Sequence, residues 1–232
     1  MKITILTLFP EMFEGPFSES ILKRAQEKEL LKINFVNIRD FGEGRHKVVD
    51  DRAYGGGVGM VLKVDILDKA IQAVKDPGLS INEEKIILLD PRGETFKQNK
   101  AKEFSKIKHL ILICAHYEGV DERVRSLIDE TISIGDFILT GGEIPAMLIV
   151  DSVARLVTGV LKEDATEKES FRQDQEGNFL LEYPQYTTPR EYKGMNVPEV
   201  LLSGNHKEIE KWKVENSQKI TKKFRPDLLS TD

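Results

Sequence analysis

The stretch of sequence that is most informative about the fold is HLILICAHYEGVDER, residues 109–123. It passes from an unbroken apolar run into a polar loop that contains glycine. A short apolar run that ends in turn residues is typical of a strand buried on both faces of a parallel sheet. Runs of this kind predict five strands, at residues 3–8, 33–38, 85–89, 110–115 and, in shorter form, 131–134.

Helical patterns lie between and after these strands. They cover residues 18–30, 65–74, 97–105, 121–128 and 143–157. Strands that alternate with helices at this spacing form crossover units, which produce a mostly parallel sheet with helices on both faces. The sequence therefore predicts an α/β fold for residues 1–160.

The composition of the chain changes after Val160. Residues 162–169 are charged and nearly free of apolar side chains, which predicts a flexible linker at 161–175, and no strand-like run follows Gly177. Residues 197–203 and 205–218 have helical patterns, and Asn205 is a candidate N-cap for the second. We therefore expect a small helical carboxyl-terminal domain at residues 176–232.

Composition excludes several classes of protein. A chain of 232 residues with 40% hydrophobic and 31% charged residues is able to bury a substantial core. Cys114 is the only cysteine, which excludes an internal disulfide and a metal site built from cysteines. No secretory cleavage site follows the apolar opening, and no apolar run is long enough to cross a membrane. We expect a cytoplasmic protein without a membrane partner.

The net charge of −5 argues against a uniformly basic surface for nucleic acid. Residues 207–225 nevertheless hold seven basic and three acidic side chains. A solvated helix face accounts for this run by itself, and a local surface for phosphates is the alternative.

Polar, glycine-rich loops follow three predicted strands, at the position where ligand sites of parallel sheets collect. These loops are residues 89–93, 116–123 and 133–143, and a fourth, 50–60, precedes a helix. None has the glycine spacing of a dinucleotide site or a phosphate loop, and the sequence has no nucleophile elbow, zinc-binding histidine pair or calcium loop. Glycines let backbone groups approach a flat ligand such as an adenine, so the three loops predict one shared pocket.

The order of these loops resembles the bacterial tRNA (guanine-N1) methyltransferases, which belong to the knotted (SPOUT) superfamily that uses S-adenosylmethionine. The resemblance covers nearly the whole chain. Its motifs are LFPEMF at 8–13, VDDR at 49–52, YGGG at 54–57, YEG at 117–119, DERV at 121–124, SIGD at 133–136, GGE at 141–143, PAM at 145–147, DSV at 151–153 and VLLSGNH at 200–206.

The resemblance implies a deep trefoil knot in residues 1–160, a homodimer, and a helical tail that holds tRNA. It also implies methyl transfer from S-adenosylmethionine to N1 of the guanine just 3′ of the anticodon, a modification that supports reading-frame maintenance. Dependence on Mg²⁺ is a further implication, and the residues themselves indicate no ligand set for the ion.

By the same resemblance, the methyl donor lies in the knot among the three loops. The residues assigned to it are Leu88, Leu89, Pro91, Gly93, Ala115, Tyr117, Glu118, Gly119, Ser133, Ile134, Gly135, Phe137, Leu139, Gly141, Gly142 and Pro145. Glu118 either lies near the positive sulfonium or is a carboxylate at a helix amino terminus. Tyr117 either covers the donor or packs in the core.

Guanine N1 carries a proton at neutral pH, so its methylation requires a nearby group that accepts this proton. The resemblance assigns this role to Glu169 and places Arg155 at the guanine O6, where negative charge develops. The alternatives are a linker charge for Glu169 and a helix-surface ion pair with Asp151 for Arg155.

The resemblance also assigns residues to the tRNA. They are Asp50, Asp51, Arg52, Tyr54, Gly55, Gly59 and Ser170. The two aspartates either hold the guanine edge or hold their own loop, and the sequence does not separate these uses.

Four positions depart from the pattern that is common in the resembled family. Ala115 replaces a glycine, Phe137 a tyrosine, Thr188 an arginine, and Glu169 an aspartate. Ala115 trims the space beside the donor, Thr188 removes a phosphate contact, and Glu169 keeps the carboxylate on an arm one methylene longer. Two rival functions remain: a knotted enzyme that modifies another nucleotide or a 2′-hydroxyl, and an RNA-binding protein without activity.

Overall fold

Seven strands form the β structure of the amino-terminal unit. The computed structural model describes residues 1–162, 165–166, 169–174 and 176–229, and the chain divides into two units, Met1–Leu161 and Lys162–Asp232. The strands of the first unit are β1 (Lys2–Thr7), β2 (Lys32–Asn37), β3 (Asp50–Arg52), β4 (Met60–Leu62), β5 (Glu84–Thr95), β6 (His109–Cys114) and β7 (Glu130–Ser133).

The central sheet has five strands in the order β2-β1-β6-β5-β7, and every neighbouring pair is parallel. The middle strand, β6, is buried along its whole length, which explains its unbroken apolar run. The five predicted strands and the mostly parallel sheet are thereby confirmed. Strands β3 and β4 form a separate antiparallel pair.

Strand β5 continues beyond the predicted end at Leu89. Its ladder with β7 breaks after Leu89 and resumes at Glu94, so the residues between them leave the sheet as a bulge. A Cβ on Gly93 would lie 2.5 Å from the backbone of Thr131, so only glycine permits this approach. The loop after Leu89 is therefore fixed to the sheet at both ends.

Five α-helices cover the sheet of the first unit. They are α1 (Glu14–Phe17), α2 (Ser20–Glu27), α3 (Val64–Val74), α4 (Gln98–Phe104) and α5 (Glu143–Ala154), with 3-10 helices at Pro10–Phe13, Ile38–Phe41 and Glu122–Leu127. The α-helix predicted at 121–128 is wrong in type, because Val124 N bonds to Asp121 O three residues earlier, as in a 3-10 turn. The helix predicted at 18–30 ends at Glu27, since Glu29 adopts a left-handed φ of 58°.

The core lies on both faces of the sheet. On one face Ile3 and Ile5 pack with α2, α4 and α5, and on the other Leu6 packs with α3 and the 3-10 helix Glu122–Leu127. Alternate residues of β1 thus serve opposite faces, as the period of a strand requires. The predicted covering of both faces is confirmed.

In its described residues, the second unit contains four strands of two residues each, two α-helices and one 3-10 helix. Its elements are β8 (Arg172–Gln173), β9 (Phe179–Leu180), β10 (Glu191–Tyr192), β11 (Met195–Asn196), α6 (Glu199–Leu202), α7 (His206–Phe224) and a 3-10 helix at Pro226–Leu228. The prediction that no strand follows Gly177 is wrong, because strands of two residues are too short to show an alternating pattern. Asn205 caps α7 as predicted by accepting a hydrogen bond from Glu208 N, and the helix extends past Gln218.

Two features hold α7 within its unit. Trp212 packs edge-on against Tyr183 and Tyr186, with ring centroids 6.4 and 6.2 Å away. Further along the helix, the buried hydroxyl of Thr221 accepts a hydrogen bond from Leu181 N at 2.8 Å. These contacts join the helix to the segment that follows β9.

No helix in the described part of the chain has the length and apolarity needed to cross a membrane. The trefoil knot stays a prediction from the resemblance.

Candidate functional site

A pocket of about 480 Å³ opens at the carboxyl ends of β5, β6 and β7. Its walls come from the bulge of β5, from the loop after β6 and from the end of β7 with the loop that follows, together with Glu122 and Pro145. The volume falls within the range of roughly 300–1,000 Å³ that is usual for sites of small organic ligands. The three glycine-rich loops therefore meet at one cavity.

Most residues that the resemblance assigns to the methyl donor line this pocket. They are Leu89, Pro91, Ala115, Tyr117, Glu118, Gly119, Ser133, Ile134, Gly135, Phe137, Leu139, Gly141, Gly142 and Pro145. Leu88 and Gly93 stand behind the lining, Leu88 fully buried in the core and Gly93 against the backbone of β7.

Sequence reasoning missed eight other lining residues. They are Asp90, Arg92, His116, Val120, Glu122, Ile132, Ile138 and Thr140. In the sequence, only their closeness to assigned residues could have indicated that they line the pocket. The local sequence does not show which side chains of a loop face a pocket.

Gly141 and Gly142, hereafter the glycine wall, form one side of the pocket. Gly142 N donates a hydrogen bond to Ala115 O at 2.8 Å, and a Cβ on Gly142 would lie 2.6 Å from Cys114 Cα. A Cβ on Gly141 would lie 2.6 Å from the ring of His116. A side chain on Gly142 would press against the backbone of the loop after β6, so that position requires glycine, and one on Gly141 would displace the side chains of His116 and Glu143.

Tyr117 forms an exposed lip of the pocket. Its backbone has a left-handed φ of 59°, which is uncommon for a residue with a bulky side chain. Arg39 Nη2 donates a hydrogen bond to its hydroxyl at 3.3 Å, and its ring lies edge-on to His116 at 5.1 Å. Contacts from two segments thus hold Tyr117 in this conformation.

A network of charges lines another part of the pocket. Arg92 donates to the buried carboxylate of Asp90 at 3.0 Å and to Glu122 at 2.9 Å, and Arg125 Nε lies 2.8 Å from Glu122. Burial opposes the ionisation of Asp90, but its hydrogen bonds with Arg92 outweigh that effect and hold the pKa of this carboxyl below its usual value. The network joins the bulge of β5 to the 3-10 helix Glu122–Leu127.

The antiparallel pair β3–β4 is bonded to the pocket, and the pair and its connecting turn together carry six of the seven residues assigned to tRNA. Glu118 N donates to Met60 O at 3.0 Å, and Leu62 N donates to Gly119 O at 3.1 Å. A Cβ on Gly59 would lie 2.5 Å from Glu118 Cγ, so this glycine lets the two loops touch.

Within that pair, Asp50, Asp51 and Arg52 form β3, and Asp51 accepts a hydrogen bond from Arg52 N at 2.7 Å. Tyr54 is fully exposed in the connecting turn, and Gly55 has a left-handed φ of 86°. An exposed ring and open backbone at the edge of a pocket suit a large ligand such as RNA.

The two residues assigned to catalysis lie in different units. Arg155 is the C-cap of α5 in the first unit. Glu169 belongs to the second unit, where the hydroxyl of Ser170 accepts a hydrogen bond from Glu182 N at 3.0 Å and Phe171 N donates to Leu180 O at 2.7 Å. These bonds fix the chain immediately after Glu169.

Neither a reactive cysteine nor a metal site is supported by the described residues. Burial, and secondarily the charge of Glu143, raises the pKa of the Cys114 thiol, so this cysteine remains protonated and unreactive. Among the described residues, no three or more His, Cys, Asp or Glu side chains are grouped in a way that could hold a metal ion.

Most basic side chains of the run at 207–225 lie on α7. Lys213 pairs with Glu210 at 2.8 Å and lies 5.1 Å from the ring centroid of Tyr183, and Arg225 pairs with Asp227 at 2.7 Å. Lys219, Lys222 and Lys223 are exposed towards the end of the helix.

Comparison with known proteins gives concordant matches. A family model described as "tRNA (Guanine-1)-methyltransferase TrmD" matches residues 1–231. Three similar proteins bear the name tRNA (guanine-N(1)-)-methyltransferase. The protein from Carboxydothermus hydrogenoformans is 56% identical over 230 residues, and the match covers 99% of this chain and 87% of that protein. That from Dictyoglomus turgidum is 54% identical over 230 residues, covering 99% and 90%, and that from Endomicrobium trichonymphae is 50% identical over 238 residues, covering 99% of both.

Proposed function

The chain belongs to the tRNA (guanine-1)-methyltransferase family, and on that premise we propose that it methylates N1 of the guanine just 3′ of the anticodon, with S-adenosylmethionine as donor. This modification supports reading-frame maintenance, and the reaction takes place in the cytoplasm, where tRNA is used. The observation that carries the proposal is the pocket between three glycine-rich loops, with β3–β4 bonded to its edge.

The pocket suits a flat, cationic donor. The glycine wall provides backbone groups for an adenine edge, and Leu89, Ile134 and Leu139 add apolar surface to the lining. Glu118 brings a carboxylate to the lining, which favours a ligand with a positive sulfonium, whereas the charge of Glu122 is paired with Arg92 and Arg125. These features fit S-adenosylmethionine, which when bound supplies an electrophilic methyl group.

Proton transfer and charge stabilisation fall to two residues. Glu169 accepts the proton of guanine N1 as the new bond forms, because N1 is a poor nucleophile while protonated. Arg155 donates to guanine O6, where negative charge develops, and so stabilises the transition state more than the ground state. The hydroxyl of Ser170 accepts a hydrogen bond from Glu182 N in the segment after β9, and this bond holds the chain next to Glu169 beside the target guanine.

The tRNA is bound by surfaces on both units. In the first unit, Asp50, Asp51, Arg52, Tyr54, Gly55 and Gly59 present polar groups and an aromatic ring to the nucleotides around the target. In the second, the exposed lysines of α7 contact phosphates, which gives affinity without sequence choice.

The functional molecule is a homodimer with a trefoil knot in each chain, as the resemblance implies. One observation supports a partner surface: Ile144 and Leu148, one turn apart on α5, are 49% and 42% exposed. The resemblance also implies dependence on Mg²⁺, and we assign no ligands for this ion in the chain.

Transfer of radiolabelled methyl groups to tRNA that lacks 1-methylguanine tests the proposal. Label in the tRNA fraction, released as 1-methylguanine on digestion, is the expected result. A protein that retains tRNA on a filter but transfers no label would instead be an RNA-binding protein without activity. Label in another nucleotide or in a 2′-O-methyl group would identify a different modification enzyme.

A further inference from the structure

A buried hydrogen bond joins the end of β1 to the start of α5, just behind the pocket. The hydroxyl of Thr7 donates to Glu143 Oε1 at 2.8 Å, and both side chains are buried, to 0% and 2% exposure. The same hydroxyl accepts a hydrogen bond from Phe9 N at 3.0 Å. Neither Thr7 nor Glu143 lines the pocket.

The carboxylate of Glu143 lies directly against the glycine wall. A Cβ on Gly141 would meet Glu143 Oε2 even more closely than it would meet the ring of His116. Glu143 also follows Gly142 in the chain and is the first residue of α5, where the helix dipole favours a negative charge. Glu143 thus occupies the space next to Gly141 that a side chain at that position would need.

A buried carboxylate is stable in one position only while hydrogen-bond donors hold it there. The Thr7 hydroxyl is such a donor, and β1, which carries it, lies inside the sheet and is paired on both sides. Because Thr7 is fixed in this strand, its hydrogen bond fixes the carboxylate of Glu143, which packs against the glycine wall.

We propose that Glu143, held by Thr7, is a positioning residue that seats the glycine wall for the methyl donor. The inference rests on the proposed function of the pocket. It assigns no contact with the donor to either residue.

A second buried threonine on the same strand provides a matched control. Thr4 Oγ1 lies 2.8 Å from His109 Nε2, and His109 Nδ1 lies 2.8 Å from Glu84 Oε2. This cluster is buried like the Thr7 pair, but it lies towards the amino ends of the strands, and its members do not line the pocket. Loss of the Thr4 hydroxyl removes a comparable buried hydrogen bond that has no contact with the glycine wall.

The test is isothermal calorimetry of S-adenosylmethionine binding to the full chain and to the variants Thr7→Val, Thr7→Ser and Thr4→Val, with thermal unfolding of each. Thr7→Val keeps the side-chain shape and removes the hydroxyl, and Thr7→Ser keeps the hydroxyl. We expect Thr7→Val to raise the donor Kd about tenfold, which corresponds to loss of one hydrogen bond to a charged group. Thr7→Ser should bind nearly as wild type, and Thr4→Val should lower Tm while leaving Kd unchanged.

Turnover adds a readout that general destabilisation would not produce. At saturating donor, Thr7→Val should methylate tRNA at nearly the wild-type rate, since its defect lies in the donor KM. If Thr7→Val does not fold, Thr7→Ala removes the same hydroxyl and is measured in its place.

Wild-type Kd in a folded Thr7→Val or Thr7→Ala protein contradicts the inference. Equal weakening by Thr4→Val also contradicts it, because stability alone would then account for the effect. Failure of the wild-type protein itself to bind the donor would overturn the proposed function, and so is distinguishable from failure of this inference.

Discussion

The backbone amide of Gly142 donates a hydrogen bond to the carbonyl oxygen of Ala115 at 2.8 Å, which ties the loop after β7 to the loop after β6. The approach is close enough that a Cβ on Gly142 would lie 2.9 Å from Ala115 N. The pocket therefore depends on the absence of side chains at the glycine wall as much as on the residues that line it.

Substitution of the glycine wall should abolish donor binding. In Gly141→Ala the new Cβ meets Glu143 and His116, and Gly141→Val adds two methyl groups at the same place. We expect Gly141→Val to show no donor binding by calorimetry and Gly141→Ala to bind weakly. Gly15→Val is the control, because a Cβ on Gly15 has open space around it. Undiminished binding in a folded Gly141→Val protein would show that the donor binds elsewhere.

Replacement of Glu169 by Gln should lower the rate of methylation. Gln keeps size and hydrogen bonding but cannot accept the proton, so single-turnover rates should fall by ~10²–10⁴-fold. Donor binding should persist, and Glu169→Asp should remain active, since the role requires only a carboxylate. A wild-type rate for Glu169→Gln at saturating tRNA would leave Asp50 or Asp51 as the better candidate for the base.

Acid should weaken the contribution of Asp90 to stability. Because its folded pKa is depressed, this carboxylate stabilises the fold fully above the unfolded value of about 3.9 and loses that effect as pH falls through the lower folded pKa. Asp90→Asn should cost about 1.5–3 kcal/mol at neutral pH, as for a hydrogen bond to a charged group.

Urea unfolding of both proteins at neutral pH and in acid tests this dependence. The difference between wild type and Asp90→Asn should narrow below about pH 4. Asp40→Asn, which breaks only an exposed pair with Lys47, should cost under about 1 kcal/mol. A difference for Asp90→Asn that stays constant with pH would mean that the charge of Asp90 does not stabilise the fold.

The lysines at the end of α7 should contribute to tRNA affinity by neutralising phosphates. Replacing Lys219, Lys222 and Lys223 together with alanine should flatten the dependence of log K on log salt, by about 0.7–0.9 for each phosphate that is no longer neutralised. Alanine at the exposed Lys23, Lys28 and Lys102 of the first unit is the control and should leave the slope unchanged. An unchanged slope in the α7 variant would make these residues a solvated helix face.

The inner strands of the sheet were predictable because they are buried on both faces and therefore carry continuous apolar runs, whereas edge strand β2 has no fully buried residue. β6 is the clearest case, since all of its residues are buried. The pairs in the second unit were not predictable, because β9 and its partner β8 have two residues each. The helix type at Glu122–Leu127 was not predictable either, since the hydrophobic pattern of a 3-10 helix over one turn resembles that of an α-helix.

The three pocket loops were predictable from where they stand, at the ends of parallel strands, but their cross-links were not. Asp90 and Glu122 are bridged by Arg92 and by Arg125, which lies in the 3-10 helix Glu122–Leu127. Thr7 and Glu143 meet only because β1 and α5 are packed together, and nothing near either residue in the sequence indicates the other. Such pairs depend on tertiary packing, which local pattern does not specify.

The most direct measurement maps the methyl group on a defined tRNA. Two transcripts that differ only in the nucleotide just 3′ of the anticodon, guanine or adenine, are incubated with the protein and S-adenosylmethionine and digested for mass spectrometry. We expect 1-methylguanine at that position in the first transcript and no methylation of the second. Methylation at another nucleotide, on a 2′-hydroxyl, or equally in both transcripts would contradict this expectation.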